Sequence, residues 1–155
     1  MNTPSNVTQL PAPPDTLSFG DVRLLFIQLV TGNLARGLVP AYQFRVLILD
    51  GLNVGHLNFR VGDTDHIQIC AGHIGYGIME PFRGRGYAQQ ACRAVAPFVR
   101  QFYKSVIITC DPDNAASRRT IEKLGASFID EVDVPPEDPH YSRGSRRKLR
   151  YRWTP

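Results

Sequence analysis

The sequence predicts a single mixed α/β domain, and three observations carry that prediction. A chain of 155 residues suits one domain, and at that size roughly two-thirds of the unfolded surface is buried without disulfides or a structural metal. The apolar period runs helical, then two, then helical again, so both element types are present. Ser105 to Cys110 is a β-branched run apolar on both faces, as expected of a strand in a sheet covered on two sides.

Residues 2–16 hold Pro4, Pro11, Pro13 and Pro14 among small polar residues and show no periodic apolar face. Residues 1–16 are therefore expected to be a flexible leader, and 17–155 the domain. Val22, Leu25, Phe26 and Leu29 fall at helical spacing after a cap at Ser18 or Asp21, which predicts a helix over 21–30. From Tyr42 the period is two: Tyr42, Phe44, Val46 and Ile48 form one strand, Asp50-Gly51 supplies a turn, and 54–61 forms its antiparallel partner. Residues 66–78 read as a further extended stretch studded with Gly72, Gly75 and Gly77, glycines that suit a bulge or the close approach of a ligand.

After Gly86, Ala88, Ala91, Cys92, Val95, Phe98, Val99 and Phe102 make a long helical stripe, which Pro97 should kink or interrupt. A strand over 105–110 follows. Asp111-Pro112-Asp113-Asn114 then caps a helix to Leu124 that Gly125 stops. Residues 128–134 and 148–153 are expected to be the last two strands, separated by the proline-bearing loop 135–140.

Composition narrows the function. Eighteen Lys+Arg against 14 Asp+Glu give a net charge of +4, and 43% hydrophobic with 21% charged residues is ordinary globular usage. The longest apolar run, Leu24 to Val30, is interrupted by Gln28 and falls far short of the roughly 18–20 residues a membrane helix needs. Met1 to Ser5 shows neither the charged nor the apolar region of a secretory signal, so a cytoplasmic protein is expected. Cys70, Cys92 and Cys110 show no metal-ligand spacing and sit in apolar stretches, which predicts buried free thiols and no metal.

The chemistry concentrates in Pro81-Phe82-Arg83-Gly84-Arg85-Gly86-Tyr87-Ala88. Small residues let a ligand approach the backbone, and a helix N-terminus adds free N–H groups and about half a positive charge, so the loop suits a phosphate-bearing ligand. A Walker A loop would end in Gly-Lys-Ser/Thr, but Tyr87-Ala88 follow Gly86. A dinucleotide loop would need glycine at Gln89. A plain strand-to-helix turn is the remaining alternative.

Arg83-x-x-Gly86-x-Ala88 resembles the (Gln/Arg)-x-x-Gly-x-(Gly/Ala) loop of the GNAT superfamily of acyl-CoA-dependent N-acetyltransferases. Downstream, Asn114 to Ser117 and Glu122-Lys123-Leu124-Gly125 are similar to that family's Asn-x-x-Ser/Ala helix. The resemblance is specific over about 73–125 and follows the strand order over 42–153. It implies a GNAT-like single domain whose mixed central sheet, flanked by helices, has splayed parallel strands at 73–79 and 105–110.

It also implies acetyl-CoA as co-substrate, with the pyrophosphate on Arg83, Gly84, Arg85, Gly86, Tyr87 and Ala88. The pantetheine arm would pair with Tyr76, Gly77 and Ile78, and Asn114 and Ser117 would flank it. Asn114 has the alternative role of a plain N-cap. The sequence departs from the ribosomal-protein type of the family, with Ile121 where many members carry a catalytic Tyr and Thr109 in place of their Glu.

Ser117 and His73 are then the catalytic candidates, with Glu80 and Tyr141 as alternates. Their structural readings are a serine bonding back within its helix and a surface histidine. The implied reaction transfers acetyl to a primary amine of a small molecule or a peptide N-terminus by direct attack in a ternary complex, in a monomer or homodimer. Two other readings stay open: an acyl-CoA-binding sensor without turnover, and a basic nucleic-acid-binding module. The second rests on Arg143, Arg146, Arg147, Lys148, Arg150 and Arg152, although Leu149, Tyr151 and Trp153 alternate with these as one solvated strand face would. The basic rim hints at an acidic acceptor.

Overall fold

A computed structural model describes residues 10–155. The expected leader lies partly outside the described residues; within them, Leu10 packs on the core and the Tyr42 hydroxyl donates to the Pro11 carbonyl at 2.6 Å. Strands β1 (Ser18–Phe19), β2 (Val22–Val30), β3 (Ala41–Ile48), β4 (Leu52–Arg60) and β5 (Ile74–Ile78) form a five-stranded antiparallel sheet in chain order. A second, three-stranded sheet places β8 (Arg147–Trp153) between β6 (Val106–Cys110) and β7 (Ser127–Asp133), again antiparallel. Helices α1 (Tyr87–Val99) and α2 (Ala115–Lys123) and the one-turn α3 (Pro139–Ser142) complete the domain. No helix among the described residues is long and apolar enough to cross a membrane.

The apolar stripe of α1 works as its spacing predicts. Ala91, Cys92, Val95, Phe98 and Val99 are buried, and the helix packs on β1, β2, β4 and β5. Phe98 meets Tyr42 edge-on with ring centroids 4.9 Å apart, and Phe59 meets Phe102 at 5.3 Å. Pro97 sits on the exposed face two residues before the helix ends, so its missing N–H leaves only the last turn short of a bond. All three cysteines are buried and unpaired.

Two expectations are overturned. Within 21–30, Val22–Val30 forms a strand in place of the expected helix. Val22 and Leu24 point inward and Arg23 outward, and the register with β3 runs from Val22↔Ile48 to Val30↔Ala41 with one bulge. A run apolar at nearly every position fits a helical period as well as any other, and its β-branched and aromatic residues with a waiting partner strand decide the outcome. Residues 66–78 are not one extended stretch either. His66–Ala71 coils into a π-helical turn, and only Ile74–Ile78 is strand. Gly72 makes the break, with φ +67, and a Cβ there would stand 2.8 Å from the Ile107 carbonyl.

The expected splay between 73–79 and 105–110 takes the form of a gap between the two sheets. His73 N–H donates to Ile107 O at 2.8 Å at the head of β5, and β5 and β6 share no ladder among the described residues. Among the described residues, the edge of β5 facing β6 carries no ladder at Tyr76 and Ile78, where only the Ile78 carbonyl is engaged, by the Arg83 side chain.

Candidate functional site

The loop between β5 and α1 owes its shape to glycine. Gly84 and Gly86 have φ of +78 and +77, a region that costs other residues about 1–3 kcal/mol. Gly86 precedes the first helical residue and offers no side-chain cap, so the first-turn N–H groups have no partner within the helix. A Cβ at Gly84 would meet nothing within 4 Å, which leaves that face of the loop open to a ligand. Arg83 anchors the loop, its Nε donating to the Ile78 carbonyl at 2.7 Å.

A cleft of about 610 Å³ opens in front of this loop, between β5, α1 and α2. It is lined by Tyr76, Gly77, Ile78, Arg83, Gly84, Gly86, Tyr87, Ala88, Asn114 and Ser117, whereas Arg85 does not line it. Arg119 and Lys123, which sequence reasoning missed, add a basic rim from α2. Their spacing of four on one helix was the available signal. The dipole, the unpaired N–H groups and this rim suit an anionic ligand such as a pyrophosphate.

At the inner end of the cleft, the Tyr76 and Ser117 hydroxyls are 3.0 Å apart. Ser117 therefore has a partner outside its own helix. Burial raises the Tyr76 phenol well above its ordinary range, so it stays protonated and able to donate. Asn114 caps α2, its Oδ1 accepting from Ser117 N–H at 3.1 Å, and its amide nitrogen is left for the cleft. The N-cap reading of Asn114 is thus met, and the cap leaves its amide nitrogen available.

Tyr76, Asn114 and Ser117 also line a second cavity of about 250 Å³ on the far side of that hydroxyl pair. Its other walls are mostly polar and include His56, Asn58, Arg60, Thr109, Asp111, His140 and Lys148, drawn from both sheets and α3. Lys148 is buried against Asp111 at 2.8 Å, and Ser145 Oγ donates to the same carboxylate at 2.7 Å. Burial alone would raise the Asp111 carboxyl, but those two donors outweigh it and hold it below the usual range. Burial, then the Lys148 charge, pulls His140 down to about 4, so its ring is neutral at physiological pH.

The structure does not bring His73 to either cavity. It is buried, at 2% exposure, so it is not a surface histidine. Its Nδ1 accepts from Ile107 N–H at 3.0 Å, which fixes the Nε2–H tautomer, and Nε2 lies 3.0 Å from an Asp63 carboxylate oxygen. The only lone pair of the ring is thus committed to joining the two sheets. Glu80 and Tyr141 line neither cavity, and Tyr141 instead stacks under Arg146, 3.7 Å from its ring centroid. Ile121 is in the core, and Thr109 Oγ1 donates to the Cys70 carbonyl at 2.6 Å.

Three of the six C-terminal cations are matched by acids. Arg147 pairs with Glu131 and Asp133, Lys148 with Asp111, and Arg150 with Asp130. The fold's own carboxylates thus take up half of the basic stretch on which a phosphate-binding surface rests. Among the described residues, no group of three or more His, Cys, Asp or Glu side chains is placed to hold a metal ion.

The family model described as an acetyltransferase (GNAT) domain matches residues 5–127. No curated protein sequence matches the chain. Among solved structures, it is similar to RimL, a ribosomal-protein alpha-N-acetyltransferase in complex with coenzyme A, at 19% identity and TM-score 0.55, covering 74% of this chain and 62% of that one. A GNAT-family acetyltransferase from Bacillus anthracis matches at 22% identity and TM-score 0.55, covering 72% of this chain and 65% of that one. A ribosomal-protein-S5-alanine acetyltransferase from Vibrio fischeri matches at 17% and 0.56, covering 74% and 61%. The chain thus spans less than two-thirds of these structures' own lengths, and the likeness is one of fold.

Proposed function

Since the chain belongs to the GNAT family of acetyltransferases, we propose that it transfers an acetyl group from acetyl-CoA to a primary amine by direct attack in a ternary complex. The observation that carries this reading is the meeting of two cavities at one hydroxyl pair, Tyr76 and Ser117, with a loop suited to anions at the outer end of the larger one. A donor and an acceptor approaching from opposite sides would meet there.

The residues present fit the co-substrate. N–H groups of the 83–88 loop would hold the pyrophosphate, Arg119 and Lys123 would add positive charge, and the free edge of β5 would pair with the pantetheine amides. When bound, acetyl-CoA supplies an activated thioester. Ser117 Oγ–H donates its proton to the departing sulfur, and the Tyr76 phenol, kept protonated by burial, resupplies Ser117 and is itself recharged from water. One C–N bond forms and one C–S bond breaks. The sulfur gains a proton and the amine loses one to water, so the protons balance.

A thiol-release assay with acetyl-CoA against amines, amino acids, polyamines, aminoglycosides and peptide N-termini tests the proposal. At least one class should release coenzyme A above the rate without acceptor. Ile121 and Thr109, standing where related enzymes of the ribosomal type carry Tyr and Glu, favour a second reading as an acyl-CoA sensor. Tight acetyl-CoA binding with no release for any class would select it.

A further inference from the structure

The second cavity holds a cation that the protein leaves without an anion. Arg60, half-buried at the end of β4, brings the Nη1 and Nη2 end of its guanidinium up against Gly75 of β5. A Cβ on Gly75 would stand 2.6 Å from Nη2 and 3.2 Å from Cζ, so this seat exists only because residue 75 is glycine. One nitrogen, Nη1, donates to the carbonyls of Ala71 and Gly72, at 3.0 and 3.3 Å. Those are neutral acceptors. Arg60 makes no ion pair among the described residues, and its other donors are left to the cavity.

The surrounding charges do not neutralise it. Asp111, the one carboxylate lining the cavity, is already engaged by Lys148 and Ser145. His140 is neutral, and Arg143 adds a second positive field close enough to act on Arg60. A guanidinium removed from water without a partner is costly, and an anion arriving with the ligand offsets that cost. Its planar fork of donors matches a carboxylate. At about 250 Å³ the cavity lies just below the roughly 300–1,000 Å³ of drug-sized ligand sites, so what it encloses is small.

We propose that this cavity is the acceptor site and that Arg60, seated on Gly75, binds the carboxylate of an amine about the size of a single amino-acid residue. The identity of the cavity's occupant as acceptor rests on the acetyl-transfer reading above; the carboxylate recognition rests on Arg60 alone. Two sources of that chemistry fit, a free amino acid and the acidic first residue of a peptide.

The test combines binding and turnover. Free amino acids and their C-terminal amides, and peptides beginning with Asp or Glu and their Asn or Gln counterparts, are titrated calorimetrically into protein saturated with coenzyme A. The same compounds are assayed by thiol release. The expected result is a preference of ten-fold or more for the acid over its amide in one of the two series. Arg60→Gln should abolish that preference by raising KM for the acid alone, with the amide unchanged. Arg60→Lys should restore it only in part, and Gly75→Ala, which evicts the guanidinium without removing it, should mimic Arg60→Gln. Preference in the first series identifies free amino acids, and in the second peptide ends. Equal handling of acids and amides in both measurements, or equal loss of both in Arg60→Gln, overturns the proposal. Carboxylate-selective binding without thiol release would leave the anion site standing and remove the acetyl-transfer reading.

Discussion

The two cavities that meet at Tyr76 and Ser117 are built on opposite principles. The larger one, on the loop side, is made of backbone: N–H groups at the start of α1, the open edge of β5 and two glycines with positive φ. The smaller one is made of side chains from β4, β5, β6, α3 and β8, with charges that are paired or left open by long-range contacts. A backbone cradle depends on local conformation, so it is contiguous in sequence and serves one unvarying ligand chemistry. A side-chain cavity depends on residues brought together by the whole fold, and under the proposed reading it is where selectivity among acceptors would reside.

That contrast can be broken first on the loop side. Gly84→Val with Gly86→Val should weaken acetyl-CoA binding most, since each forces a β-branched residue into a conformation costing about 1–3 kcal/mol, or roughly ten- to hundred-fold per site. The circular dichroism of the folded variant should stay that of the parent, because neither position packs against the core. Calorimetry that finds binding undiminished would reduce the loop to a structural turn.

At the junction, Ser117→Ala should lower kcat by about 10- to 10³-fold with the acetyl-CoA Kd nearly unchanged, as expected for a single proton donor. Tyr76→Phe removes only the partner of that donor and should cost less. His73→Ala belongs to a different class. It strips the acceptor from Ile107 N–H and should cost about 1–3 kcal/mol of stability, read as a lower Tm, while kcat at a temperature where the variant is folded stays unchanged. A kcat loss in His73→Ala exceeding that of Ser117→Ala would return His73 to the chemistry.

The smallest effect sharpens the acceptor side. His140 falls from 6.5 to about 4 in the folded chain, chiefly through burial and then through Lys148. Between those values the unfolded chain takes up a proton that the native one refuses, so stability should drop as pH falls from about 6.5 to 4 and be insensitive to this group above that window. His140→Gln should flatten the drop in urea-melt midpoints across that range. Asp111 works in the same direction at lower pH, because a carboxyl held below its ordinary value loses its contribution once it is protonated.

How much of this was legible in the sequence follows from the same contrast. The 83–88 loop, the stripe of α1 and the Asn114 to Ser117 cap are each written within a few consecutive residues, and all stand where the pattern put them, with Arg85 alone of the loop not lining the cleft. Strand β2 was illegible because Leu24 to Leu29 is apolar at nearly every position, so no period discriminates and only pairing with β3 decides. His73 looked like a base beside a glycine-rich strand. Its partners, Ile107 and Asp63, lie 34 and 10 residues away, and only the fold reveals them. Arg60 stood in a plain strand alternation, and nothing near it in sequence announces that Gly75 leaves room for its guanidinium.

The central claim is that the cleft between β5, α1 and α2 is an acyl-CoA site whose affinity comes from backbone. Calorimetric titration of the full chain with acetyl-CoA, paired with its melting temperature at the same concentrations, tests this most directly. The account predicts saturable one-to-one binding and a Tm that climbs with ligand concentration, as for any ligand selective for the folded state. No heat and no Tm shift at millimolar acetyl-CoA would contradict it.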